Sequence, residues 1–488
     1  MLEGVTLPSE LIAFLKQDQG QTLLVKGKSG TGKSTFALSL LDQLSKALPE
    51  KFSVENFIYL SSRVASTNLK SQFPWAFEML PENQIIDATP SLMGVPESQF
   101  ESGEPAETRM VYSDELTFIS AVNDRLRDLT TPVCIIDSFD AIIEAAQADP
   151  QRLTTALTNL GRILYGKIIL IVEGIDESPL DHIVDGIVCV TKELTEGRMW
   201  RSIRLIKLRG TPIDQTMRGF TLRDNRFAIL HSYDAEQAVR VSDFKVIPHT
   251  GGRFSSGIKE LDDIFGGFRR GSTFFVDVSE GVANEVVNSL VLNMVANFLR
   301  QESGVVIVPP NKLSFRRLKA AALRYGFVDQ LNTRLRLFAS AATSLGVSSA
   351  TGELGEPYYK TVAFRESSDL ENAWSVVLEE LRNQGCKDLL SIVGFGWLHS
   401  WLGPAELPRW ATRIANDTAT ESNLAVTIGY SSTPEINQYL ADLADIHVKL
   451  AVKEGVTVFH GINPPTPQYC LYTHLLEGKP HIGFQEIA

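Results

Sequence analysis

The sequence predicts an α/β protein made of two successive doubly wound, mainly parallel sheets in a three-layer α/β/α arrangement, the second of them degenerate. Three observations predict it. Short β-branched runs alternate with stretches of helical spacing through the first half, as in strands joined by crossover helices. A glycine-rich turn, Gly27-Lys28-Ser29-Gly30-Thr31-Gly32-Lys33-Ser34, lies between the apolar run QTLLVK and the helix-like TFALSLLDQLSKAL. The same apolar frame recurs in FFVDVSEGVANEVVNSL, residues 274–290, with most of the turn's chemistry gone.

The bulk numbers agree with two domains. A chain of 488 residues exceeds the roughly 250 to 300 that one core serves, and the divisions expected are 1–232, a linker 233–252, and 253–488. Hydrophobic residues at 44% and charged residues at 21% are ordinary for a folded globular chain. A formal charge of −12 opposes a duplex-DNA footprint, which gathers basic residues on one face. Cys134, Cys189, Cys386 and Cys470 are far apart, so neither a zinc site nor a disulfide framework is suggested. The start MLEGVTLPSELIAFLKQDQG has no basic segment ahead of an apolar one, and no apolar stretch reaches the ~18 residues that span a bilayer. A cytoplasmic protein without membrane contact is expected.

The first elements make a nucleotide site. QTLLVK reads as a strand, the turn has the spacing GxxxxGKS, and Phe36, Leu40, Leu41, Leu44 and Leu48 give the following helix its apolar face. Glycines let backbone N–H groups curl around phosphate oxygens, the helix N-terminus adds positive potential, Lys33 reaches the outer phosphates, and the Ser34 hydroxyl ligates Mg²⁺. Gly27 to Thr35 are therefore the expected contacts to ATP. NFIYLSSRV is a second strand, and residues 89–115 form a polar, proline-dotted tract read as a surface loop or flap. PVCIIDSFDAI supplies a buried strand ending in Asp137, the acid expected to hold the hydrated Mg²⁺; a helix cap is the plainer reading of an aspartate there. A helix at PQRLTTALTNLGRILY and strands at KIILIVEG, GIVCVTKEL and RSIRLIKLRGTPIDQTMRGFTL complete the half.

At IIDS, DHIVDGIVCV and IRLIKLRGTPIDQTMRGFTL the sequence resembles the KaiC branch of the RecA-like ATPases. Its opening, LPSELIAFLKQDQGQTLLVKGKSGTGKSTFALSLL with IYLSSRV, resembles more narrowly the archaeal gas-vesicle regulator GvpD and its homologues. The resemblance implies that Lys33 and Ser34 bind ATP and Mg²⁺ and that Asp137 is the Walker B acid. It also implies that Lys207 and Arg209, of KLRG, reach the nucleotide of a neighbouring subunit in a ring. Two cations on one face of an exposed strand are the bland alternative. KaiC-type domains place two glutamates after the second strand, one of which polarises water, whereas this chain has Ser62-Arg63. Serine accepts a proton poorly and arginine is no base. Glu173 is then the remaining acid near the phosphates, with a strand-end structural role equally open, and ATP binding with slow hydrolysis is expected.

RFSSGIKELDDIFGGFRRGSTFFVDV opens the second half and resembles the start of another KaiC-like domain. Val278 and Ala283 stand where the motif has glycines, Gly281 remains, Asn284 replaces the lysine and Glu285 the Mg²⁺-binding hydroxyl residue. A carboxylate facing a triphosphate repels it. DLLSIVGFGWLHSW has Gly394 about where the acid belongs, NLAVTIGYSS and DIHVKLAVKEG follow, and nothing matches KLRG. A scaffold without catalysis is expected; a different ligand in the vestigial pocket is the alternative. His182, His231, His249, His399, His447 and His460 have no metal-ligand spacing, and Trp397, Trp401 and Trp410 read as packing, or as a partner site if exposed.

The function expected is an ATP-binding regulator that acts on a protein partner. A transcriptional activator as that partner is implied by the GvpD likeness alone. A RadA-like recombination accessory that binds DNA, and a genuine ATPase or autokinase, are the rivals.

Overall fold

The computed structural model describes residues 7–89, 109–234, 244–310, 315–340, 360–364, 367–476 and 479–488. The first six residues, 90–108 of the polar tract, and 235–243 of the expected linker lie outside them. By its internal contacts the chain divides into two compact units, Met1–Leu230 with Ile487–Ala488, and His231–Glu486.

Unit 1 is a nine-stranded sheet. Its strands are β1 (Gln21–Gly27), β2 (Phe57–Ser61), β3 (Ile85–Asp87), β4 (Val133–Asp137), β5 (Lys167–Glu173), β6 (Gly186–Thr195), β7 (Arg198–Leu208), β8 (Met217–Thr221) and β9 (Ala228–Ile229). Their order is β3-β2-β4-β5-β1-β6-β7-β8-β9. The six from β3 to β6 are parallel, and β6 through β9 turn back antiparallel.

Period-two alternation sends the central strands into two cores. Leu23, Val25, Tyr59, Ile135, Ile169 and Ile171 meet Phe36, Leu40, Leu41 and Leu44 of the helix Lys33–Ala47 on one face. Leu24, Leu60, Cys134, Ile136, Ile168 and Leu170 meet Leu153, Leu157 and Leu160 of the helix Pro150–Ile163 on the other. Burial on both faces is why these strands read as continuous apolar runs. Each fully buried aliphatic side chain contributes about 1.5 to 3 kcal/mol, and Leu40→Ala, inside a filled core, should cost about 2 to 5 kcal/mol. Two lysines sit within these layers. Lys26 pairs with Asp181 at 2.6 Å, and Lys167, with no exposed surface, donates to the carbonyls of Gln17 and Gln19 and to Gln21 Oε1 at 2.6 to 2.8 Å.

Unit 2 carries β10 (Arg253–Phe254), β11 (Phe268–Arg269), β12 (Ser272–Val278), β13 (Gly304–Val308), β14 (Leu335–Ser340), β15 (Lys360–Phe364), β16 (Leu389–Gly394), β17 (Leu424–Tyr430), β18 (Ile446–Lys453), β19 (Val456–Asn463), β20 (Gln468–Leu476) and β21 (Lys479–Ile487). β10 and β11 pair apart, and the others form one sheet in the order β15-β14-β13-β16-β17-β12-β18-β19-β20-β21. With β12 set in the place of β1, the run β14 to β20 repeats the order of β3 to β8 strand for strand. The expected tandem of mainly parallel α/β sheets is thus the observed architecture. β15, parallel to β14, extends the copy beyond the first unit's edge. Of the tryptophans, Trp410 is buried edge-to-face against Trp374, while Trp401 is 42% exposed beside Trp397. All four cysteines are buried and unpaired, and no described helix is long and apolar enough to cross a membrane.

Candidate functional site

The loop between β1 and the helix Lys33–Ala47 is shaped by its glycines. Gly30 and Gly32 have φ of 71° and 101°, the left-handed region that side chains resist. A Cβ on Gly27 would lie 2.6 Å from the Val190 carbonyl oxygen, and one on Gly32 2.6 Å from Leu222 Cδ1. Lys33, 8% exposed, donates to the carbonyls of Gly27 and Lys28 at 2.7 and 3.0 Å, which holds its ammonium across the loop. Helix-terminal N–H groups without intrahelical partners front this hollow, so the cradle fits a nucleotide's phosphates.

Asp137 ends β4, level with Ser61 of β2 and Ile171 of β5. It does not cap the next helix, Phe139–Ala145, whose N-cap is Ser138 without a side-chain cap. Its Oδ2 instead accepts a hydrogen bond of 2.6 Å from the Tyr59 hydroxyl. Burial, then the Asp137 charge, pushes the Tyr59 phenol well above its usual pKa, with the nearby Ser34 side chain opposing the shift. Ser34 and Asp137, the two expected Mg²⁺ ligands, therefore converge on one point, and an oxygen donor set of this kind suits that ion.

Glu173 ends β5 beside Gly27. Its Oε1 lies 3.3 Å from Lys33 Nζ and 3.5 Å from Arg63 Nη1, and its N–H donates to Asp140 Oδ2 at 2.7 Å. Ser62 is a latch: its buried hydroxyl donates to the Ser138 carbonyl at 2.7 Å and accepts from the Ser138 N–H at 2.8 Å. The position where the resemblance expects a glutamate thus ties β2 to the turn after Asp137. Sequence reasoning also missed Tyr59 and Lys192. The Lys192 ammonium overlies the loop, where a Cβ on Gly30 would come within 2.7 Å of it. A lysine six residues into β6 gave no local sign of that approach.

Lys207 and Arg209 are elsewhere. Lys207 donates to the carbonyls of Asp181 and Val184 at 2.8 and 2.7 Å, and Arg209 pairs with Asp185 at 2.7 Å. Asp185 is joined to Thr22, at the N-terminal end of β1, through both its N–H and its carboxylate. Thr22 is five residues along the strand from Gly27, about 17 Å. Arg209 is therefore held toward the opposite end of the strands from the phosphate loop of its own chain, while Lys207, level with Leu24 through Ile187, is fixed to the turn before β6.

Strand register identifies the counterparts in unit 2. Asp137 is level with Ile171 and Val25; Gly394 is level with Ile428 and Val276, two residues before the end of β12 as Val25 is before the end of β1. Gly394 thus takes the place of Asp137, Val278 of Gly27, Tyr430 of Glu173, and Asn284 of Lys33. No side chain fits at 394, because a Cβ there would lie 2.1 Å from Pro310 Cα and 2.3 Å from the Pro309 carbonyl oxygen. Asp277, the counterpart of Lys26, accepts from Asn437 Nδ2 at 3.0 Å, and burial raises its pKa. Among the described residues, no cluster of His, Cys, Asp or Glu could hold a metal ion.

A glycine-bent phosphate loop, its buried lysine and an aspartate ending a nearby parallel strand, repeated as a scaffold in a second sheet, define a P-loop protein of the KaiC/RecA-like superfamily. Comparison with known proteins narrows this. The family described as GvpD gas vesicle protein, P-loop domain, matches residues 11–207, and GvpD basic region 2 matches residues 243–354. Protein GvpD2 of Halobacterium salinarum is 28% identical over 486 residues, covering 95% of this chain and 93% of that one. Protein GvpD1 of the same organism is 30% identical over 319 residues, 63% of this chain and 57% of the relative. The circadian clock oscillator protein KaiC of Acaryochloris marina is 25% identical over 281 residues, 55% of this chain and 50% of the relative. The chain is thus similar to the GvpD proteins in both halves, with a more distant likeness to KaiC. The second family match covers the degenerate loop and the helix Phe315–Tyr325, which contains Arg316, Arg317, Lys319 and Arg324; the sequence reading singled out no basic segment there.

Proposed function

We propose that the protein is a nucleotide-dependent regulator in which domain 1–232 binds Mg-ATP, 233–252 links, and 253–488 is a framework that does not bind nucleotide. The convergence of Ser34 and Asp137 beside Lys33, set against the Pro309–Pro310 backbone that fills the same place in the copy, is the observation that carries this reading. Gly27 to Gly32 line the phosphates with backbone, Lys33 compensates their charge, Ser34 and Asp137 hold the ion, and Thr35 extends the first helical turn. The nucleotide would supply, with its magnesium, the transferable phosphoryl group. Hydrolysis is slow in this reading, because Ser62 is spent on the turn after Asp137 and Arg63 cannot take a proton. Glu173 is the nearest acid, and two cations already share its oxygen.

Lys207 and Arg209 act in trans in this account, Arg209 being tied by Asp185 to the far end of β1 and Lys207 to the carbonyls before β6, which makes a homo-oligomer the working form in the cytoplasm. A protein partner, a transcriptional activator by analogy with GvpD, would then be bound or released with nucleotide state. Light scattering with and without Mg-ATP tests the assembly: the mass should rise for the wild type and stay constant for Lys33→Ala. An unchanged mass for the wild type counts against it.

A further inference from the structure

We propose that Arg63 and Lys33 form one anion seat, for which Glu173 and the terminal phosphate of a nucleoside triphosphate are alternative occupants. Arg63 is then the residue that distinguishes tri- from diphosphate. The inference rests on nucleotide binding at this loop, as proposed above, and goes beyond it in assigning a specificity role to an arginine and a competing role to an acid.

A single oxygen carries the argument. Glu173 Oε1 is 3.3 Å from Lys33 Nζ and 3.5 Å from Arg63 Nη1, so an anionic oxygen at that point satisfies both cations together. The other Lys33 partners are the carbonyls of Gly27 and Lys28, which are neutral. The rest of the phosphate path is built of backbone, and because Lys33 would serve the last phosphate of a diphosphate as well, Arg63 is the part of the seat that the added phosphate of a triphosphate would engage. A terminal phosphoryl oxygen carries more charge than a carboxylate and accepts from guanidinium and ammonium in the same way.

The seat is made for exchange. Glu173 is 35% and Arg63 50% exposed, so their attraction is screened by water and is weak. The Glu173 backbone stays fixed by its N–H bond to Asp140 and by the pairing of Gly27 with both Glu173 and Gly174, while the side chain is free to turn outward. Gly174 follows at φ 87° with nothing within 4 Å of where a Cβ would stand, leaving room beyond the strand end. Displacement of Glu173 moves a negative charge from the phosphate side to the surface, which couples the terminal phosphate to a change that a partner can read.

The two residues predict changes of opposite sign. Isothermal titration of the full chain with Mg-ATP and Mg-ADP should show Glu173→Gln binding ATP about threefold to fivefold more tightly, as expected on removing a weak competing ion pair. Arg63→Ala should lose about tenfold or more in ATP affinity, the scale of a charge-assisted hydrogen bond, with ADP affinity unchanged. Arg63→Lys should fall between. Retained ADP binding reports that each variant is folded. ATP binding unchanged or weakened in Glu173→Gln, or ATP and ADP weakened alike in Arg63→Ala, would overturn the shared seat. A wild type that binds neither nucleotide would instead refute the nucleotide reading beneath it.

Discussion

The Tyr59 hydroxyl donates to Asp137 Oδ2 at 2.6 Å from a side chain that is 1% exposed. This bond fixes the carboxylate at the C-terminal end of β4. Tyr59→Phe should lower unfolding stability by about 1 to 3 kcal/mol, the range for a buried hydrogen bond to a charged group. It should also raise the Mg²⁺ concentration needed for half-maximal nucleotide binding, since Asp137 loses its orienting partner. Urea unfolding and a magnesium titration read the two effects separately.

Gly394 should resist the obvious repair. Gly394→Asp restores the acid in name, yet its Cβ would meet Pro310 Cα at 2.1 Å and the Pro309 carbonyl oxygen at 2.3 Å. Both obstacles are backbone, so the cost should reach or exceed the roughly 1 to 3 kcal/mol of ordinary overpacking. The variant should show a lower unfolding midpoint and no additional bound nucleotide.

Lys167 makes stability depend on alkaline pH. Burial lowers its pKa to about 8, with Lys51 pushing the same way and Asp18 and Asp185 opposing. Between that value and the ordinary lysine value near 10.4, the unfolded chain holds a proton that the folded chain has released. Stability from this residue is therefore absent below pH 8 and grows as pH rises, by up to about 3 kcal/mol. Wild type minus Lys167→Met, followed by urea unfolding from pH 7 to 10, should show a rising difference. A flat difference would count against it.

Arg209 is bound to Asp185 at the far end of the strands, so it should matter only between chains. Arg209→Ala should leave the nucleotide affinity of dilute monomer unchanged while abolishing Mg-ATP-dependent growth in mass. Weakened binding in the monomer would mean that the residue acts on its own site.

Much of this was legible in the sequence because it is local. Gly27 to Ser34 state their chemistry in eight consecutive residues, Asp137 ends an apolar run, and the order of runs in the second half repeats the first. What escaped was non-local. Lys192 and Gly30 are 162 positions apart, Ser62 is tied to Ser138 across two strands, and Pro309 and Pro310 fill the space over Gly394 only because β13 and β16 are neighbours. β3 is three residues long, too short for any alternation to declare it. Lys167 looks like the polar start of a strand, and its burial depends on the carbonyls of Gln17 and Gln19 folding over it.

The central claim is that the phosphate loop before Lys33 is the sole nucleotide seat on the chain. Equilibrium dialysis of the full-length protein against labelled Mg-ATP tests it most directly. The account predicts one nucleotide per polypeptide at saturation, and none for Lys33→Ala. Two per polypeptide, none for the wild type, or one that persists in Lys33→Ala would contradict it.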